Sequence, residues 1–78
     1  MRFAKLTEAK LNAIIDRYGG PKSVRKRFYT DNIGCVFELI PAENPPYFYL
    51  RRGKWQCEIT WLEDDFEKAT VFDAADSR

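Results

Sequence analysis

The dipeptide Arg52-Gly53 limits the fold of this chain more than any other feature. It separates two runs that both read as β-strand, Tyr47-Phe48-Tyr49-Leu50-Arg51 and Lys54-Trp55-Gln56-Cys57-Glu58-Ile59-Thr60-Trp61. Glycine accepts the positive φ that a two-residue hairpin turn requires, and aromatic residues dominate the flanks. With Arg52 and Gly53 as the turn, residue 51 pairs with 54, 50 with 55 and 48 with 57. Side chains alternate along a strand, so this register gathers Phe48, Leu50, Trp55, Cys57, Ile59 and Trp61 on one face. Tyr47, Tyr49, Arg51, Lys54, Gln56, Glu58 and Thr60 fall on the other. The first face is the expected core side and the second the expected outer side.

A single hairpin cannot fold alone, so another element must cover its apolar face. Leu11, Ile14, Ile15 and Tyr18 recur at helical spacing and form one apolar stripe. Thr7 reads as the N-cap, with Leu6 placed to staple onto Leu11. Glu8 and Arg17 suit the two ends of the helix dipole. Gly19-Gly20 followed by Pro21 marks the stop. Pro21 to Tyr29 can open a short second helix with Pro21 at its first position and Val24 and Phe28 as its buried edge, before a turn at Thr30-Asp31-Asn32.

Ile33 to Ile40 supports two readings. As a strand it aligns Ile33, Cys35, Phe37 and Leu39; as a helix it aligns Ile33, Val36, Phe37 and Ile40. Its length and its β-branched and aromatic content favour the strand. Pro41 closes it, and Ala42 to Pro46 is a connection. Beyond the hairpin, Asp64 and Glu67 have capping-box spacing, and Phe66, Ala69 and Phe72 recur every three residues. A short helix near 65–75 is the favoured ending, with a strand over Ala69 to Phe72 as the alternative. The expected fold is α+β in one domain over 1–78. It has an amphipathic N-terminal helix, with room for a second, on a three-stranded antiparallel meander and a short C-terminal helix or strand.

Seventy-eight residues leave no room for a second domain, and the core must be dense. Six Phe, four Tyr and two Trp supply that density. The chain has no histidine and only two cysteines, Cys35 and Cys57. Zinc coordination and the usual catalytic triad are therefore not expected, nor is any cofactor. The cysteines are expected as reduced, core-packed thiols, with one disulfide as the alternative. No run approaches the length of a membrane span and no signal-peptide core is present, so a cytoplasmic location is the expectation. Ser23 and Ser77 are the serines available as nucleophiles, one in a basic run and one at the end of the chain. The chain is accordingly expected not to be an enzyme.

Charge becomes informative when the chain is divided. Residues 1–54 carry 11 Lys and Arg against 5 Asp and Glu; residues 55–78 carry 2 against 7. If these regions lie apart, the molecule is a dipole that can steer a partner; if together, they neutralise each other.

Function is therefore expected to reside in binding. The favoured surface is the outer hairpin face, Tyr47, Tyr49, Arg51, Lys54 and Gln56, with Arg52 at the turn. Tyr and Arg are enriched at interface hot spots. The expected partner is another protein or complex, with the chain as a small regulator or inhibitor, such as an accessory protein of a phage or mobile element. The alternative partner is nucleic acid, bound by that face or by Lys22, Arg25, Lys26 and Arg27 beside Phe28-Tyr29. A pI of 7.7 is low for a dedicated nucleic-acid domain. Self-association through an uncovered face or edge is a further option. The acidic cluster Glu63, Asp64, Asp65 and Glu67 is assigned to capping and solubility.

Two helices joined by Tyr18-Gly19-Gly20, the second of them basic, and a later hairpin resemble the layout of small Cro-type helix-turn-helix repressors over about residues 7–60. That resemblance implies a recognition helix in the third segment. The chain departs from the pattern there: Asp31 and Glu38 would face DNA, Gly34 interrupts the helix, and the positive charge sits on the second helix.

Overall fold

Alternation and helical spacing produce the expected classes of element, but more strands than three. The computed structural model describes residues 2–20 and 23–76. Its elements are β1 (Phe3–Lys5), α1 (Glu8–Tyr18), α2 (Val24–Asp31), β2 (Val36–Pro41), β3 (Tyr47–Arg52), β4 (Trp55–Gln56), β5 (Trp61–Leu62), a 3-10 turn (Glu63–Asp65), β6 (Glu67–Ala69) and α3 (Val71–Asp76). The sheet is antiparallel in the order β4-β3-β2-β1-β6, and β5 extends the β4 side of β3. Both helices pack on one face of it. Leu6, Ile14, Tyr29, Leu50 and Trp61 are fully buried there, with Ala4, Phe37, Leu39, Cys57 and Phe66 around them.

In α1, Ile14 is buried and Leu11, Ile15 and Tyr18 half-buried, as the stripe requires. Gly19 ends the helix at φ 100°, a backbone state that costs glycine little. Thr7 occupies the N-cap, but its hydroxyl makes no capping bond; its backbone N–H donates to the Tyr29 hydroxyl at 3.2 Å. Helix α2 begins later than expected. Ser23 is its N-cap, its hydroxyl accepting from the Lys26 N–H at 3.0 Å, and Pro21 lies outside the described residues. The expected buried edge is rotated: Val24 is 67% exposed while Tyr29 is fully buried. Aromatic area outweighs a lone valine in deciding which side of a short helix turns inward. The turn follows at Asn32 to Gly34.

The ambiguous segment is strand β2, with Phe37 and Leu39 toward the helices, so no recognition helix lies at 33–40. Ile33 precedes the strand and is exposed, and Cys35 is half-buried. The hairpin register also differs from expectation. Arg52 pairs with Trp55 and Arg51 with Gln56, so Gly53 and Lys54 form the turn, with Gly53 at φ 61°. Glycine with positive φ at the first turn position is the type II′ arrangement. The shift is two residues, one full period of the pleat, so the side chains that remain paired keep their expected faces. After Cys57, whose N–H donates to the Leu50 carbonyl at 2.8 Å, the strand bends out over Glu58 to Thr60. It rejoins with Trp61 opposite Phe48. This bulge inserts two residues, again an even number, and Trp61 stays inside.

Two strands were not anticipated at these positions. β1 uses Ala4 as a core residue, and β6 pairs on its far side, Lys5 facing Glu67 and Phe3 facing Ala69. With Glu67 in a strand, no Asp64/Glu67 capping box forms. The box belongs to α3 instead: Asp73 Oδ2 accepts from the Thr70 N–H at 2.8 Å, and the Thr70 hydroxyl accepts from the Asp73 N–H at 3.2 Å. Phe66, Ala69 and Phe72 therefore share no face; Phe66 is buried and Phe72 is 77% exposed.

Candidate interaction surface

On the outer face of the hairpin, short-range partners hold several of the expected contact residues. Tyr49 lies opposite Ile40 and its hydroxyl donates to Glu43 Oε2 at 2.9 Å. That bond raises the tyrosine pKa above its usual value, while Glu43, held first by a backbone N–H and then by Tyr49, is lowered. Arg51 lies opposite Glu38 and donates to Oε1 from Nη2 at 2.7 Å and from Nε at 3.2 Å. Tyr47 faces Leu62 and is half-buried. Gln56 is exposed beside Arg51. Lys54 leaves the strand for the turn, and Arg52 stands on the opposite face from Arg51, across from Trp55. The six residues named from the sequence are thus divided between two faces and the hairpin tip.

The basic run divides likewise. Lys22 is outside the described residues. The Arg25 guanidinium turns inward, 4.2 Å from the Tyr18 ring centre and 5.0 Å from that of Trp61, and Nη1 donates to the Thr60 carbonyl. It clamps the bulge before β5 to both helices. Lys26 is half-buried and Arg27 exposed.

The acidic cluster also separates into distinct roles. Asp65 is fully buried and accepts from the Tyr18 hydroxyl at 2.5 Å, from the Leu62 N–H at 2.9 Å and from Arg17. Its carbonyl accepts from the Tyr29 hydroxyl at 2.7 Å, and the Tyr29 ring stacks on Phe66. Burial, first of all, raises the pKa of both tyrosines. Glu63 pairs with Arg2 and Glu67 faces Lys5. Among the described residues, no group of three Cys, Asp or Glu is placed to share a metal ion. A groove of about 350 Å³ opens beside β1 and β6, lined by Phe3, Ala4, Leu39, Phe66 and Lys68, with the Arg2 and Glu63 side chains also at its wall.

The surface that sequence reasoning missed is a corner formed by α2 and β4. Trp55 is on the helix-bearing side of the sheet, but β4 is the last strand on its side, and among the described residues no element beyond it closes over the indole. Its ring stacks on Phe28 at 5.9 Å and 15° and meets Phe37 at 6.0 Å, yet Trp55 remains 49% exposed. Val24, one turn before Phe28, adds an open aliphatic side chain. Arg27 on α2, Arg52 at the end of β3 and Lys54 in the hairpin turn are all exposed. The signal available in the sequence was the short second helix with Val24 and Phe28 four apart; their neighbour Trp55 was assigned to the core. No helix of the described residues is long and apolar enough to cross a membrane.

Compared with protein-family models, with curated proteins and with solved structures, the chain matches none.

Proposed function

We propose that this chain is a non-catalytic protein-interaction module that docks on a larger protein or complex as a regulator or inhibitor, through the corner built by Trp55, Phe28 and Val24. The observation that carries this reading is the half-open indole of Trp55, fixed flat against Phe28 and flanked by cations. A large ring held rigid before binding loses little entropy on contact, and Trp and Arg are the side chains most enriched among residues that dominate binding energy. Tyr49 and Arg51 are less suited to that role, since a partner would have to displace Glu43 and Glu38 from them. Lys54, in the turn next to Trp55, remains available as a rim contact, while Tyr47 and Gln56 lie on the opposite face of the sheet.

The non-catalytic part of the reading rests on how the reactive groups are employed. Cys57 is buried, and the Asp65 carboxylate is engaged by Arg17, Tyr18 and the Leu62 N–H. A nucleic-acid role is the weaker alternative, because Arg25 is committed inside the fold.

Affinity capture from the native host with the wild-type chain, Trp55→Ala and Tyr49→Ala, each with and without nuclease, tests the proposal. Capture that resists nuclease and falls by about 1–3 kcal/mol in Trp55→Ala alone is expected. A partner that Trp55→Ala retains in full, or one that nuclease releases, overturns it.

A further inference from the structure

Strands β5 and β6 lie on opposite sides of the sheet path, yet only residues 63–66 join them. Residues 63–65 are wound in the 3-10 turn, so the connection spans about 13 Å, whereas four strand spacings laid flat would need about 19 Å. The sheet is therefore curled, and its two sides approach each other at this end. Arg2 marks the same closure: it pairs with Glu63 while its guanidinium lies 5.2 Å from the Phe48 ring centre on β3. The groove of about 350 Å³ opens at this mouth, over a floor of Ala4, Leu39 and Phe66, all three otherwise buried. At its wall Arg2 and Glu63 neutralise each other, and Glu67 shares the outer face with Lys5. Two exposed charges are left, Asp64 and Lys68, two residues to either side of Phe66. Lys68 lies opposite Ala4 and shares its face, so it stands over the groove. Among the described residues neither Asp64 nor Lys68 makes an ion pair, and Arg17, which feels the Asp64 charge, is held by Asp65.

We infer that this groove binds a free α-amino acid with a large apolar side chain. The side chain lies on Ala4, Leu39 and Phe66, the carboxylate meets Lys68 and the ammonium meets Asp64. Volume sets the size. A cavity of about 150 Å³ holds benzene, and pockets for small ligands begin at about 300 Å³, so the groove takes one ring or branched chain with its amino-acid backbone. Charge sets the head group. One unpaired charge of each sign beside an apolar floor matches a zwitterion, whereas an acid alone is repelled by Asp64 and an amine alone by Lys68. The site is separate from the Trp55 corner and does not depend on it.

The experiment titrates three compounds with the same ring, phenylalanine, 3-phenylpropionate and phenethylamine, into the full chain to millimolar concentration. The readout is a nitrogen-15 correlation spectrum, with the Ala4, Leu39 and Lys68 amides reporting the groove and the Trp55 indole N–H reporting the other corner. Phenylalanine is expected to move the three amides and leave the Trp55 signal in place. The acid and the amine should each bind about three- to fivefold more weakly, the factor an exposed ion pair supplies. Lys68→Ala should weaken phenylalanine and the acid but not the amine, and Asp64→Asn should weaken phenylalanine and the amine but not the acid. Both positions are exposed, and unchanged Trp55 and Trp61 indole signals show that each variant is folded. Equal binding of the three compounds, or variants that change all three alike, overturns the inference. So does phenylalanine that moves Trp55 instead of the groove amides, or that moves no signal at all.

Discussion

Replacing Asp65 with alanine removes the acceptor on which three donors, two from α1 and one from β5, converge. The carboxylate is fully buried between α1 and the strand β5 with its following turn, and it takes hydrogen bonds from Tyr18, Leu62 and Arg17. Alanine leaves the Leu62 N–H and the Tyr18 hydroxyl without an acceptor, at about 1–3 kcal/mol for each group that water does not reach. Arg17 loses its counter-ion, but its side chain is 36% exposed and can turn to water, so its share is small. A loss of about 3 kcal/mol follows, near the lower end for breaking a buried pair. At roughly 0.05–0.15 kcal/mol per residue, a chain of this size has about 4–12 kcal/mol in all. The variant should therefore melt about 12–24 °C lower. Urea denaturation followed by tryptophan emission measures this directly, because Trp61 packs against both Tyr18 and Phe66. Asp65→Asn, which keeps the volume and one acceptor oxygen, should lose less. In a double-mutant cycle with Tyr18→Phe the two losses should fall short of additive by about 0.5 kcal/mol or more. An Asp65→Ala variant within about 0.5 kcal/mol of wild type would place it among ordinary surface substitutions and refute the reasoning.

The remaining predictions address other parts of the account. Burial raises the ionisation of Tyr18 and Tyr29 above the usual 10.0, so stability is fully present below about pH 10 and declines as pH rises through the folded-state values. Urea midpoints between pH 8 and 12 check this, and Tyr29→Phe should flatten the decline. Arg25→Met keeps the apolar stem but removes the contacts to Tyr18, Trp61 and the Thr60 carbonyl; a loss of about 1–2 kcal/mol is expected in the same assay. Lys26→Ala with Arg27→Ala should leave any residual gel shift with single- or double-stranded nucleic acid unchanged, whereas a clear loss would return α2 to the nucleic-acid reading. Trp55→Ala should keep the far-ultraviolet circular dichroism of the wild type, since the ring is half outside the core; collapse of that signal would make Trp55 structural.

How much of this was legible in the sequence follows from which interactions are local. Leu11, Ile14, Ile15 and Tyr18 declare their helix because the stripe and its glycine stop lie within one segment. The hairpin faces were legible although the pairing register is shifted by two residues and the turn by one, because sidedness depends only on whether a register shift is odd or even. The edge was not legible: Trp55 and Trp61 share a face, and their different exposure depends on which strand ends the sheet. β1 and β6 are three residues each, too short to show alternation, and exist because they pair with each other and with β2. Asp65 reads in sequence as one of several acids near the chain's end. Its burial depends on Arg17 and Tyr18, 48 and 47 residues away, which no local pattern connects to it.

Photo-crosslinking tests the interaction surface most directly, with benzoylphenylalanine placed at position 55 in one chain and at position 49 in another. A ring at the α2–β4 corner should form a covalent adduct with a protein in the native host, and the ring beside Glu43 should form none. Adducts from position 49 alone, or an adduct at 55 whose mass is that of nucleic acid, would contradict the assignment.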